Sequence, residues 1–136
     1  MTLTLSIRDL DKRFGGGRTL LGKQRPEVHA VQAASLDVPN GETLGIVGES
    51  GCGKSTLARM IVGLLPPSGG SIEIEGHNYA EAAGKDPAAF GKKIQYVFQD
   101  PISSLNPRKT IRQILETPLK LLYGMTPEQR VERIDE

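Results

Sequence analysis

The residue types that suit phosphate binding stand together in one run of this chain. Its members are Gly48, Glu49, Ser50, Gly51, Cys52, Gly53, Lys54, Ser55 and Thr56. The run fits the Walker A pattern, Gly-x-x-x-x-Gly-Lys-Ser/Thr. Glycines allow backbone N–H groups to approach phosphate oxygens without an obstructing Cβ atom. The run therefore predicts a phosphate-binding loop.

Two neighbouring side chains of this loop are expected to bind the phosphate charge and a metal ion. Lys54 is expected to reach the β- and γ-phosphates of a nucleotide, and Ser55 is expected to ligate Mg²⁺. Thr56 follows as a first-turn helix residue near the phosphates. The positive end of that helix adds to the attraction. Two interpretations of Cys52 stay open: a reactive thiol that bound nucleotide shields from alkylation, and a small filler residue.

The elements that must position the loop flank it directly. Residues 43–47, Thr-Leu-Gly-Ile-Val, predict a short buried strand, and residues 56–65 predict a helix. This strand–loop–helix context argues against the alternative of a glycine-rich turn with no ligand.

Further elements follow from periodicity and turn residues. Alternation at Leu3, Leu5 and Ile7 predicts a half-buried strand that ends near Phe14. A second strand is expected from Val28 to Val38, with its register broken around Ala33. The remaining predictions are a loop at 15–26, an exposed strand at 71–76, a short helix after Asp86 and Pro87, a strand at 94–98, a helix from Ile111 to the Gly124 stop, and a new helix beginning at Thr126 and Pro127.

Length, charge and cysteine content restrict the protein class. The chain has 136 residues, which suits one domain at most. The formal net charge of +1 gives no overall field for binding nucleic acid. The single cysteine, Cys52, excludes an internal disulfide and fits a reducing compartment. No apolar run approaches the roughly 20 residues of a membrane span, and no signal peptide is recognised, so membrane association is expected to come through a partner.

Three further stretches, taken with the loop, resemble one family. Residues 63–72 resemble the segment after the first helix of ATP-binding-cassette ATPases, and residues 94–101 resemble their Q-loop strand. The run Ser104-Leu105-Asn106-Pro107-Arg108 is similar to that of the oligopeptide, dipeptide and nickel importer subgroup. The resemblance extends over nearly the whole chain.

The resemblance implies roles for residues outside the loop. Gln99 would contact Mg²⁺ and the attacking water, and would link the nucleotide site to the transport channel; the alternative is a polar strand-end residue. Phe14 stands near the position of the aromatic that stacks on adenine in this family; a core aromatic at a strand end is the alternative. The loop from Asp100 to Arg108 would border the groove that receives a membrane subunit.

The fold class implied is α/β: a P-loop NTPase core with an N-terminal antiparallel β subdomain. In this scheme residues 1–47 and 71–76 form mainly the β subdomain and the phosphate-loop strand. Residues 48–65 form the P-loop and its helix, 94–109 the Q-loop strand and loop, and 110–136 the start of the helical subdomain.

The 136 residues lack three family elements: the Leu-Ser-Gly-Gly-Gln signature, a Walker B strand ending in Asp-Glu, and a switch histidine. His29 and His77 precede the place of a switch histidine. We therefore expect an N-terminal fragment, truncated before the signature and Walker B elements, that binds ATP weakly and hydrolyses it negligibly.

The main interpretation is the ATP-binding subunit of an importer of peptides or related solutes. It implies permease subunits that contact the Q-loop region, a second ATPase subunit, and a place on the inner face of the cell membrane. The alternatives are a small P-loop nucleotide or metabolite kinase and a non-catalytic interaction module. A GTPase is disfavoured because neither DxxG nor NKxD occurs.

Overall fold

The computed structural model describes residues 2–16, 26–79 and 86–136. The chain divides into two compact units, Met1–Lys85 and Asp86–Glu136, and each is described by itself. Most of the predicted 15–26 loop lies outside the described residues. In chain order the described elements are β1 (Leu3–Gly15), β2 (Glu27–Pro39), α1 (Lys54–Ile61), β3 (Gly69–Ile74), β4 (His77–Asn78), α2 (Pro87–Lys93), α3 (Ile111–Leu121) and α4 (Pro127–Asp135).

The first unit is built on an antiparallel sheet with strand order β2-β1-β3-β4, as predicted for the β subdomain. Its core joins this sheet to α1. Ile7 and Leu10 of β1 and Met60 of α1 are fully buried, and Leu57 of α1 is nearly so. The helix that begins in the phosphate loop is therefore anchored by its apolar side chains.

A bulge in β1 brings Ile7 and Leu10 into the same core. The two residues are three positions apart, so regular alternation would put their side chains on opposite faces of the strand. Asp9 adopts φ 45°, and the pairing of β1 with β2 shifts between Ile7 and Leu10. The Ser35 hydroxyl accepts a hydrogen bond from the Asp9 N–H at 2.9 Å and so satisfies the bulged backbone. The extra residue restores a shared face that strict alternation would have broken.

The second strand confirms the predicted register break. Ala33 adopts φ 46°, and the pairing moves from Leu10 opposite Ala34 to Lys12 opposite Val31. The bulge turns the side chain of Val31 into the core, where it is buried.

A bidentate ion pair connects β1 to β2, and it predicts acid sensitivity. Arg8 donates from Nη1 and Nη2 to the two Asp37 carboxylate oxygens at 2.7 and 2.9 Å. These bonds hold the pKa of Asp37 below its ordinary 3.8. The resulting stabilisation is complete above that ordinary value and is lost as the pH falls through the lower folded pKa. We expect the free energy of unfolding to fall less between about pH 5 and about pH 3 in Asp37→Asn than in wild type.

Denaturant unfolding at a series of pH values measures this difference, with Glu42→Gln as the control on an exposed carboxylate. Equal slopes for wild type and Asp37→Asn would remove Asp37 from the acid transition.

The third strand is half-buried, so the prediction of an exposed strand was wrong. Ile72 and Ile74 both enter the core because β3 pairs with β1 on one side. The strand also begins earlier than predicted, at Gly69. Gly70 has φ 85°, and a Cβ atom there would lie 2.4 Å from the Asp9 carbonyl oxygen, so only glycine fits beside the β1 bulge.

The helix of the phosphate loop is shorter than predicted, since it begins at Lys54 and ends at Ile61. Gly63 takes φ 78° and stops it. The Leu64 N–H donates to the Arg59 carbonyl at 2.9 Å, and the Gly63 N–H donates to that of Met60 at 3.1 Å. These two bonds form a Schellman motif, in which a left-handed glycine terminates the helix.

Two predicted strands are absent from the described structure. Residues 43–47 and 94–98 adopt no strand, and neither segment pairs with another among the described residues. Most of their apolar side chains are exposed; Val47 is 93 % and Val97 82 % exposed. Buried parallel strands read as apolar runs because they have neighbours on both sides. The apolar pattern of these two segments favours a strand, but a strand forms only where a neighbouring strand accepts its hydrogen bonds.

The second unit confirms the predicted helix starts. Asp86 caps α2 by accepting the Ala89 N–H at 2.9 Å, with Pro87 in the first turn. Thr110 and Thr126 each form a capping box with the glutamine three residues later. The helix predicted from Ile111 is α3; it ends at Leu121, and Gly124 (φ 62°) turns the chain just beyond it.

Membrane-spanning helices were sought among the described residues. None of the helices there combines the length and the apolar character that a bilayer crossing requires.

Candidate phosphate-binding site

The Lys54 ammonium lies over the loop and is held by its carbonyl groups. Nζ donates to the carbonyl oxygens of Gly48 and Glu49, each at 2.7 Å. The loop thus folds around the charged group that the sequence assigns to phosphate. Nζ is a compact charge with three donors, so an incoming phosphate oxygen can exchange for a carbonyl partner.

Two glycines shape the backbone beneath the ammonium. Gly51 and Gly53 adopt φ 83° and 96°, the left-handed region that L side chains avoid. A Cβ atom on Gly53 would lie 2.1 Å from the Ala30 carbonyl oxygen of β2, so the loop packs directly on the sheet. This close approach fixes where the helix begins.

The start of α1 offers unpaired backbone donors. Leu57 makes the first bond of the helix, donating to the Gly53 carbonyl at 2.8 Å. The N–H groups of Lys54, Ser55 and Thr56 precede that bond and have no partner within the helix. Because the helix dipole is positive at this end, these donors and Lys54 Nζ suit an anion.

Ser55, the predicted metal ligand, is exposed in the first turn of α1, and Thr56 beside it is half-buried. Cys52 is exposed, and its Sγ lies 3.4 Å from Lys54 Nζ. The shielded-thiol interpretation of Cys52 stays a prediction. A Cβ atom on Gly48 would lie 2.7 Å from Cys52 Sγ, so the loop closes tightly on itself here.

Phe14, predicted to stack on adenine, lies at the end of β1 and is 42 % exposed. One face of its ring receives Lys12 Nζ, 5.2 Å from the centroid. That ammonium also donates to the Pro66 carbonyl at 2.6 Å, after the end of α1. Sequence reasoning missed Lys12, although its spacing of two residues from Phe14 places both side chains on one face of a strand.

Gln99 lies in the second unit, whereas Lys54 lies in the first. The segment after Gln99 is ordered by local bonds. Asp100 accepts the Ser103 N–H at 3.2 Å, and this bond is the main reason that the pKa of Asp100 is lowered. The Ser104 hydroxyl donates to the Pro101 carbonyl at 2.7 Å. Together they form a compact exposed turn.

Comparison with protein families decides the assignment. The model of the family described as ABC transporter matches residues 31–136, which include the loop and all of the second unit. The chain belongs to the ABC transporter family. This membership confirms the resemblance seen in the sequence and supports it over the small-kinase alternative.

Curated relatives of this ABC transporter chain fall into two groups by name. The nickel import ATP-binding protein NikE of Escherichia coli O157:H7 is 40% identical over 136 residues, which is 100% of this chain and 50% of that protein. The putative oligopeptide transport ATP-binding protein YkfD of Bacillus subtilis is 44% identical over 134 residues, 97% of this chain and 39% of that protein. The chain thus spans half the length of the first relative and less of the second.

Solved structures confirm the fold class. A dimeric post-hydrolysis structure of the ATP-binding cassette MJ0796, bound to ADP and Pi, superposes with a TM-score of 0.73 at 27% identity. The match covers 95% of this ABC transporter chain and 53% of that one. A second dimeric MJ0796 structure gives a TM-score of 0.72. The α/β P-loop fold predicted from the sequence is therefore correct.

Proposed function

We propose that this chain is part of the ATP-binding subunit of an ABC importer and that it supplies the phosphate grip of the ATP site. The observation that carries the proposal is Lys54 Nζ, seated on the Gly48 and Glu49 carbonyls at the positive end of α1. Family membership and the ADP and Pi bound to MJ0796 support a nucleotide as the anion.

The loop fits a triphosphate on structural grounds. Glycines line its turn, and Gly53 is packed so closely on Ala30 that no side chain intrudes there. The backbone N–H groups from Gly53 to Ser55 would bind the β-phosphate, and Lys54 would place its charge on the β- and γ-phosphates. Phe14 would stack on the adenine with the ring face opposite Lys12.

Mg²⁺ in this proposal is held mainly by oxygen ligands that include the phosphates. Ser55 would supply a hydroxyl from the first turn of α1, and Gln99 would supply its amide oxygen. Mg²⁺ typically binds through few protein ligands plus substrate phosphates, so an exposed hydroxyl and an amide suit it. Bound Mg²⁺ would neutralise charge that develops on the phosphates.

Hydrolysis would draw on positioning by these same residues. Gln99 can donate and accept hydrogen bonds without adding charge, and it would orient the attacking water. Lys54 would stabilise charge on the phosphate oxygens. We expect the 136 residues alone to bind MgATP but to hydrolyse it negligibly, because they contain neither the signature nor the Walker B carboxylates.

The transported solute in this proposal is a peptide or nickel, by analogy with the names of the relatives. The partners are permease subunits, which would meet the exposed 100–108 turn, and a second ATPase subunit. The subunit would lie in the cytoplasm on the inner face of the membrane. No nucleic-acid partner is proposed, since the net charge is only +1.

Thermal unfolding with and without MgATP tests the proposal. At a nucleotide concentration 100-fold above the dissociation constant, binding adds about 2.7 kcal/mol of stability, which raises the unfolding temperature by about 10 °C. Mg²⁺ without nucleotide is the control. An unfolding temperature unchanged by MgATP at millimolar concentration would contradict the proposal.

A further inference from the structure

We propose that a basic groove of the second unit binds a small solute that carries two or more phosphate groups. The groove has a volume of about 380 Å³, within the usual range for small-molecule sites. All of its lining residues lie between positions 108 and 130, within the second unit. Its lining residues are Arg108, Lys109, Gln113, Glu116, Thr117, Lys120 and Arg130.

The groove concentrates positive charge. Four of its seven lining residues are cationic and one, Glu116, is acidic, whereas the whole chain carries only +1. The side chains of Arg108, Lys109 and Lys120 form no hydrogen bond or ion pair with any residue of the described ranges. These cations are thus available to a ligand.

Arg130 adds a fixed donor to this set. Its Nη1 donates to the Met125 carbonyl at 2.7 Å, which holds the guanidinium in place, and Glu128 interacts with it electrostatically. Its Nε is buried, and no described group accepts a hydrogen bond from it. A buried N–H donor without an acceptor is costly, and a shift of this side chain that brought Nε to an anionic oxygen in the groove would remove that cost.

The length of the groove selects a ligand with more than one phosphate group. Gln113 and Lys120 are seven residues apart on α3, which corresponds to about 10 Å along the helix. Arg108 and Lys109 stand before the α3 N-terminus, whose dipole adds positive character at that end. Lysine and arginine side chains are long, so cations from both ends of the groove would converge on the oxygens of one diphosphate, which arginine can bind in a bidentate manner.

Two larger classes of partner fit less well. A nucleic acid would need a basic surface more extended than this groove. A membrane surface would need apolar side chains beside the cations. The exposed Ile111 and Leu115 lie instead on the side of α3 opposite Gln113 and Lys120, given 3.6 residues per turn.

Calorimetric titration with inorganic pyrophosphate tests the groove. The protein is the full chain carrying Lys54→Ala, without Mg²⁺, so that the phosphate loop contributes least. We expect a dissociation constant below about 1 mM, which weakens at least tenfold in Arg108→Gln/Lys120→Gln. Arg133→Gln, on α4 but outside the groove, is the matched control and should bind as the parent does. Both changed side chains are exposed, and circular dichroism checks that the double variant stays folded.

Three outcomes would overturn the proposal. The first is a dissociation constant above about 1 mM for the parent, and the second is equal affinity in the parent and the double variant. The third is groove-dependent sedimentation with phosphatidylglycerol vesicles without pyrophosphate binding, which would assign the groove to a lipid surface. Titration with inorganic phosphate tests whether one phosphate group suffices. We expect it to bind more weakly than pyrophosphate.

Discussion

Replacing Lys54 with alanine is expected to weaken MgATP binding about 100-fold, which corresponds to about 2.8 kcal/mol. The ammonium is the only side-chain cation that the structure seats on the loop among the described residues, where it bonds to the Gly48 and Glu49 carbonyls. Its removal leaves the triphosphate with backbone donors alone. At a nucleotide concentration 100-fold above the wild-type dissociation constant, the MgATP-dependent rise in unfolding temperature should fall to about a seventh of the wild-type value.

Arg59→Ala is the matched control for this change. Arg59 is a cation in the last turn of the same helix, it is exposed, and it stands away from the loop. It should retain the full MgATP-dependent shift. Equal losses in the two variants would mean that helix charge in general, rather than the seated ammonium, attracts the nucleotide. Wild-type affinity in Lys54→Ala would remove Lys54 from the site.

Gly53→Ala is expected to lower the free energy of unfolding of the first unit by about 3 kcal/mol or more, and to abolish the MgATP shift. Two costs combine at this position. The left-handed conformation, φ 96°, costs an alanine about 1–2 kcal/mol. In addition its Cβ would lie 2.1 Å from the Ala30 carbonyl oxygen, so the loop must move away from β2. Denaturant unfolding followed by circular dichroism measures the loss.

Gly51→Ala separates the two costs within the same loop. Gly51 has a similar φ of 83°, yet a Cβ atom there meets nothing within 4 Å. It should therefore show only the conformational cost of about 1–2 kcal/mol. If the free energy of unfolding fell equally in Gly51→Ala and Gly53→Ala, the close contact between the loop and β2 would not contribute to the loss.

Local signals in the sequence predicted most of what is local in the structure. The capping boxes at Thr110 and Thr126 and the Asp86 cap stand at the predicted helix starts. Each forms between residues three apart, so neighbours along the chain suffice to make it. The same applies to the glycine pattern of the phosphate loop.

The strand predictions show what local sequence patterns do not predict. The segments at 43–47 and 94–98 have strand composition, yet neither pairs with a strand in the described parts of the chain. A helix satisfies its backbone within one segment, whereas a strand needs a neighbour supplied by another part of a protein. The prediction that the strand containing Ile72 is exposed was wrong for a related reason. The burial of Ile72 depends on β1 and α1, which are other segments of the chain.

By itself the sequence determined the helix starts and the family to which the chain belongs, and it predicted the phosphate loop. Only the tertiary structure decided that Gly53 packs on Ala30, that a bulge at Asp9 aligns two core residues, and that cations from Arg108 to Arg130 share one groove. The physical reason is the distance along the chain between the interacting residues. The features that the sequence predicted depend on dihedral preferences and on hydrogen bonds between near neighbours. The features that only the tertiary structure decided depend on contacts between distant segments, which residue spacing along the chain does not encode.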